Sequence, residues 1–176
     1  MNDDIQRKLV IREAELSDAE ALAMLRMTTD GETENMDREA GEDYLSSEDF
    51  EQIIRTDQKE PTNLCLVACD GGKVVGYCRC EGHALRRLSH QVTFGIAIMK
   101  NHWGYGIGRK MLGKVITWAE KQGIHKINLS VLAINRRAIL LYESYGFQIE
   151  GCLRDDRRLS DGKYHDTLLM ARFLGK

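Results

Sequence analysis

Residues 94–123 read FGIAIMKNHWGYGIGRKMLGKVITWAEKQG, and few folds can accommodate such a stretch. Its first part is an apolar run with isoleucine at alternate positions, Ile96 and Ile98, which predicts a buried strand. Residues 100–105 predict a loop. From Ile107 the apolar residues recur as Met111, Leu112, Val115, Ile116 and Ala119, a spacing of three and four that predicts one face of a helix ending at Gly123. Strand and helix are joined by a turn with glycine at alternate positions, Gly104, Gly106 and Gly108. The first N–H groups of a helix have no intrahelical partner, and the helix dipole makes that end partly positive. Glycine lets a ligand approach the backbone and permits positive φ. A strand–glycine turn–helix unit therefore predicts a site for a phosphate or pyrophosphate. A turn that merely connects two elements is the plainer alternative.

The remaining composition narrows the class. A chain of 176 residues with 43% hydrophobic and 30% charged residues is expected to form one soluble domain with a sizeable core. A net charge of −2 offers no global attraction to nucleic acid. No run approaches the ~20 apolar residues of a membrane span, and the opening MNDDIQRKLV has no apolar leader segment. The cysteines are Cys65, Cys69, Cys78, Cys80 and Cys152; an odd number without a leader predicts free thiols in a reducing cytoplasm. Their equal-parity spacing puts Cys65 with Cys69, and Cys78 with Cys80, on one sheet face each. They lack metal-binding CxxC spacing, so no metal is expected.

Taken in order, residues 8–13 predict a first strand. Ser17 to Glu20 match a capping box, with Ala21, Leu22, Met24 and Leu25 as the inward stripe of the helix that follows. Residues 28–44 predict a polar loop broken at Gly31 and Gly41. Ser46 or Ser47 predicts the cap of a second helix to about Thr56, with Phe50, Ile53 and Ile54 inward. Strands are predicted at 63–69 and 73–81 around the hairpin turn Asp70-Gly71-Gly72, and at 90–99. After the glycine helix come a strand at 126–131, a helix from Asn135 stopped by Gly146, and strands at 147–154 and 164–173. The order β-α-α-β-β-β-α-β-α-β-β describes a mixed α/β sheet.

Three segments together resemble the GNAT N-acetyltransferases, over about residues 8–173. The first is Phe94-Gly95-Ile96-Ala97-Ile98 followed by Trp103-Gly104-Tyr105-Gly106-Ile107-Gly108, similar to the family's splayed strand and pyrophosphate loop. The second is Asn135-Arg136-Arg137-Ala138 through Tyr142 to Gly146-Phe147, similar to its N-x-x-A-x-x-x-Y-x-x-x-G-F segment. The third is Glu150-Gly151, Arg154 and Asp161-Gly162-Lys163-Tyr164-His165-Asp166. The resemblance implies the acyl-CoA N-acyltransferase (GNAT) fold, an α/β architecture whose mostly antiparallel sheet splays at the cofactor site between about four helices. It implies that residues 1–176 form a single N-acetyltransferase domain using acetyl-CoA as co-substrate. One position departs from the pattern, since Trp103 stands where Gln or Arg is usual. Trp-Gly-x-Gly occurs in members resembling the ribosomal-protein and polyamine acetyltransferase branches.

The resemblance further implies that the β-strand around Ala97, through Ile96 and Ile98, offers backbone groups to the pantetheine arm, as an added strand would. Trp103, Gly104, Tyr105, Gly106, Ile107, Gly108 and Arg109 would wrap the pyrophosphate, with Arg109 and Lys110 near the other phosphate. Asn135 would hold the pantetheine or position the thioester. Tyr142 would lie near the sulfur as general acid, since a phenol with a pKa near 10 is protonated at neutral pH. The Ile98 N–H would stabilise the thioester oxygen. For the general base the reading leaves Glu81, His83 and His90 open, or no dedicated base. The acceptor site is expected among residues 28–36, 81–87 and 154–165. Arg86, Arg87, Arg154 and Arg157 would suit an acceptor carboxylate, and the acidic run over residues 30–43 a polyamine. The preferred acceptor is a small amine-bearing metabolite such as an amino acid, and a homodimer is a family-level expectation. A protein N-terminus, or an acyl-CoA sensor without catalysis, is the alternative. A nucleotide-binding protein is disfavoured, because the loop lacks the Gly-Lys-Ser/Thr ending of a P-loop.

Overall fold

The computed structural model describes residues 8–175; the opening MNDDIQR, read above as carrying no leader segment, lies outside the described residues. Seven strands form one sheet in the order β1-β2-β3-β4-β5-β7-β6. They are β1 (Leu9–Glu13), β2 (Leu64–Asp70), β3 (Lys73–Gly82), β4 (Gln91–Ile98), β5 (Lys126–Leu132), β6 (Gln148–Arg158) and β7 (Tyr164–Phe173). Four helices flank them: α1 (Ala19–Glu32), α2 (Ser47–Lys59), α3 (Ile107–Lys121) and α4 (Arg136–Ser144). All neighbouring strands are antiparallel except β4 and β5.

Each face of the sheet carries its own core. On one face α3 buries Ile107, Met111, Leu112, Val115, Ile116 and Ala119, the six residues whose spacing predicted the helix, against Leu66, Cys78, Cys80, Val92, Phe94 and Ile127. On the other, Leu22, Leu25, Phe50 and Ile54 of α1 and α2 pack on Cys65, Val67, Cys69 and Ala97. This two-sided cover explains why β2 reads as a nearly unbroken apolar run. It also puts Cys65 with Cys69 and Cys78 with Cys80 on opposite faces as parity requires. All five cysteines are free.

The structure corrects the reading around α1. Asp18 rather than Ser17 organises its entry, accepting the Glu15 N–H at 2.8 Å while Arg12 binds both its oxygens. The helix runs through Gly31, where a Cβ would meet the Ala40 Cβ at 3.4 Å, so this glycine admits the following loop instead of ending the helix. Met24 points outward at 65% exposure, and the inward face uses Arg26, Thr29 and Asp30. Ser46 caps α2, as expected, accepting the Asp49 N–H at 3.2 Å.

Candidate active site

The feature that makes a site is a fork. β4 and β5 pair only through Gln91↔Lys126, Val92↔Ile127 and Thr93↔Asn128, and then diverge. Asn128 spans the crotch, donating to the Gln91 side chain at 2.8 Å and the Val92 carbonyl at 3.4 Å. The Met99 N–H is given to Val75 of β3 at 2.9 Å. By strand alternation the backbone groups of Gly95 and Ala97 also face β3, and those of Phe94, Ile96 and Ile98 face the gap. Ile96 and Ile98 thus present backbone along one arm of the fork, and Ala97 does not. Its methyl group lies in the core beneath α1 and α2.

At the open end of this arm the chain turns through the glycine loop. Gly104 and Gly106 have φ of 89° and 77°, and Gly106 is the N-cap of α3. Side chains other than glycine pay roughly 1–2 kcal/mol for such left-handed backbone. A Cβ on Gly106 would meet nothing within 4 Å, so its outer side is open to a ligand. Gly108 serves packing, since a Cβ there would lie 3.4 Å from Leu141. The Gly106 carbonyl accepts the first helical bond from Lys110, and the preceding N–H groups are left pointing outward. These residues fit a diphosphate. Ile107 is buried in the core and Tyr105 packs at its edge, so both contribute backbone. The Trp103 indole donates to the Ile98 carbonyl at 2.8 Å. Arg109 lies over the Tyr145 ring, centroid distance 5.7 Å. Lys110 faces away from the fork, into a groove with Leu9, Ile11 and Leu66.

Tyr142 stands at the crotch, on the α3/α4 side. Its ring meets Phe94, the first β4 residue past the split, edge-on at 6.3 Å, and Phe147 at 5.8 Å. Burial, with a smaller contribution from Cys78, pushes its phenol up to about 12. Asn135 is the N-cap of α4, its side-chain oxygen accepting the Ala138 N–H at 3.3 Å. Its amide N–H groups remain available to a ligand.

The three candidate bases do not converge on Tyr142. Glu81 lies on the α1/α2 face, the opposite side of the sheet, with its carboxylate 2.9 Å from Arg79. Arg79 is itself anchored by two bonds to the buried Asp57, at 2.7 and 2.8 Å. His83 follows Gly82, which pairs with Val92 below the split, and is exposed. His90 lies below it too, near His125. Arg86 and Arg87 are exposed in the turn before β4.

Across the open end of the fork, on the α1/α2 face, two segments meet. Glu32 at the end of α1 accepts the Lys100 N–H beside β4 at 2.8 Å. On the β5 side, Ala133 donates to the Asp166 carbonyl of β7. Between them the α1–α2 loop and the β6–β7 hairpin join. Glu34 accepts the Ser160 N–H at 2.8 Å, and Arg157 reaches the Asn35 carbonyl at 3.3 Å and Asp37 at 3.0 Å. The Ser160 bonds hold the Glu34 carboxyl below its usual range. Asp30 is bound by Arg38 and Asp43 by Arg26. The acidic run is therefore largely a set of loop fastenings. Sequence reasoning missed these bonds, as it missed Asn128 and the Arg79–Asp57 pair, because their partners are distant along the chain. Arg154 stays exposed within a wide bulge of β6, where Asp155 adopts a φ of 51°. Among the described residues no group of three or more His, Cys, Asp or Glu is arranged to hold a metal ion, and no helix is long and apolar enough to cross a membrane.

Comparison with known proteins settles the family. Residues 25–147 match the family described as Acetyltransferase (GNAT) family. The chain belongs to the GNAT acetyltransferases. It is an acyl-CoA-dependent N-acetyltransferase with the GNAT fold. Over 94% of this chain and 98% of the relative, it is 28% identical to the L-amino acid N-acetyltransferase AaaT of Escherichia coli K12. It is 36% identical to the [ribosomal protein bS18]-alanine N-acetyltransferase of the same organism, but over 48% of this chain and 56% of that one. A GNAT acetyltransferase structure from Streptococcus pneumoniae superposes with a TM-score of 0.91 at 30% identity, covering 94% of this chain and 99% of the other. A Salmonella typhimurium structure solved with its cofactor acetyl-CoA has the same fold, with a TM-score of 0.84 at 21% identity over 96% and 95% of the two chains.

Proposed function

We propose that this acetyltransferase acetylates the primary amine of a small, amino-acid-like acceptor, by direct attack with both substrates bound. The observation that carries the reading is the arch of Glu34–Ser160 and Arg157–Asp37 across the acceptor face of the fork. It confines that entrance, which suits a small molecule better than a polypeptide end. The end-to-end similarity to an L-amino acid N-acetyltransferase supports the same choice. A polyamine is less well served, because the acidic side chains that would attract it are engaged by the protein.

The coenzyme supplies an activated acetyl thioester. The N–H groups opening α3 bind its diphosphate, and the gap-facing backbone of Ile96 and Ile98 aligns the pantetheine arm. Tyr142 gives its proton to the departing sulfur, and its raised pKa keeps that proton in place until then. Because Glu81 is tied to Arg79, and His83 and His90 lie below the split, the acceptor amine loses its own proton to solvent water. Much of the rate then comes from holding amine and thioester together.

The test is thiol release from acetyl-CoA with a panel of amino acids, polyamines and peptides with free N-termini. Amino acids are expected to give the highest kcat/KM, rising with pH toward the pKa of the amine used. Preferential turnover of peptides or polyamines would overturn the acceptor assignment. A pH profile independent of the amine would restore a protein base.

A further inference from the structure

Trp103 departs from the loop pattern, and its surroundings supply a reason. Its indole N–H is fixed on the Ile98 carbonyl at 2.8 Å, so the ring stands at the mouth of the fork. Over that ring lies the guanidinium of Arg137, from the first turn of α4, at 5.8 Å from the centroid. One terminal nitrogen of Arg137 is 3.8 Å from where a Gly104 Cβ would be, directly beside the loop backbone. Arg137 is exposed and has no carboxylate partner among the described residues, unlike Arg12, Arg26, Arg38, Arg79 and Arg157. The contact also crosses the gap, since Trp103 follows the β4 arm and Arg137 the β5 arm.

We propose that Arg137 is a phosphate-binding residue for the coenzyme diphosphate, held in readiness by Trp103. A guanidinium drawn over a ring by cation–π attraction and free of any carboxylate keeps N–H groups to offer, and their planar fork matches a phosphate bidentately. The loop then provides neutral N–H groups from one arm, and Arg137 provides the full charge from the other. Trp103 is not itself a ligand; it is the surface on which the ligand rests. This inference rests on the coenzyme reading of the fork.

The experiment measures dissociation constants of acetyl-CoA and 3′-dephospho-acetyl-CoA, and KM for acetyl-pantetheine, in the wild type, Arg137→Ala, Arg137→Lys and Trp103→Phe. Arg137→Ala is expected to weaken both nucleotide-bearing ligands by roughly tenfold, the scale of one charged hydrogen-bonded contact, with KM for acetyl-pantetheine unchanged. Arg137→Lys should recover part of the loss, because the charge returns without the fork. Trp103→Phe should fall between wild type and Arg137→Ala. Wild-type affinity in Arg137→Ala overturns the proposal, as does a loss confined to acetyl-CoA, which would assign Arg137 to the 3′-phosphate. An equal loss on acetyl-pantetheine also overturns it, since that marks a structural role. Failure of the wild type to bind acetyl-CoA would instead sink the coenzyme reading beneath it.

Discussion

Replacing Tyr142 by Phe deletes one oxygen and leaves the ring between Phe94 and Phe147. The hydroxyl has no protein hydrogen-bond partner among the described residues; burial and the nearby Cys78 alone raise its pKa to about 12. Losing it orphans nothing, so stability should change by less than about 1 kcal/mol, or a Tm shift within roughly 4 °C. Affinity for acetyl-CoA should stay within about twofold, because the diphosphate contacts lie at the other end of the fork arm. Turnover should fall by about 10² to 10⁴, the usual worth of a positioned acid, or roughly 3–5 kcal/mol of barrier. The pH profile sharpens the test. An acid contributes while protonated, so the contribution of Tyr142 is present below its pKa of about 12 and lost only above it. Wild-type kcat should therefore show no descending limb between about pH 7 and about pH 10. Thiol-release kinetics across that range, with a thermal melt and a binding isotherm for each protein, make up the assay. Turnover of Tyr142→Phe within about threefold of wild type, with binding intact, would refute the role of the phenol.

Three further outcomes are expected. Asp57 is buried and receives two bonds from Arg79 and one from Asn63, so Asp57→Ala should cost about 3–5 kcal/mol and lower Tm by roughly 6–20 °C in differential scanning calorimetry. The Arg12 hydrogen bonds depress the Asp18 pKa, so the stability they give is present above the unfolded value of about 3.9 and is lost as pH falls through the folded one. Tm measured against pH should therefore drop in acid more steeply for the wild type than for Asp18→Asn, which starts lower at neutral pH. Opening the arch with Glu34→Ala and Arg157→Ala together should raise the acceptor KM about threefold or more, through lost ordering, with acetyl-CoA affinity unchanged; steady-state kinetics in both substrates will show it.

The strand–glycine loop–helix unit was readable because periodicity and glycine spacing are local, and all six residues whose spacing predicted α3 face the core. The element order followed from the same local signals. Errors gathered where burial is polar. Gly31 reads as a break, yet it lies inside α1 because the loop packs on it, and Met24 reads as inward while Arg26 and Asp30 take the buried face with partners from that loop. The candidate bases stand apart from Tyr142 for a different reason. Glu81 is close in sequence to the right strand, but the sheet face and the register that tie it to Arg79 are not local properties. Likewise nothing near Glu34 announces that its partner is Ser160.

The brevity of the β4–β5 pairing has a mechanical consequence. The strand ladder between the four strands on one side and the three on the other is only three residue pairs long, with the Asn128 bonds at its end. A molecule lying along Ile96 and Ile98 and reaching the α4 arm acts as a second fastener between the two half-sheets. Coenzyme supply should then set the stiffness of the protein as well as its turnover. Ligand at a hundred times its dissociation constant adds about 2.7 kcal/mol to stability. Slowed amide exchange at Ile96 and Ile98 would show that this protection reaches the β4 arm.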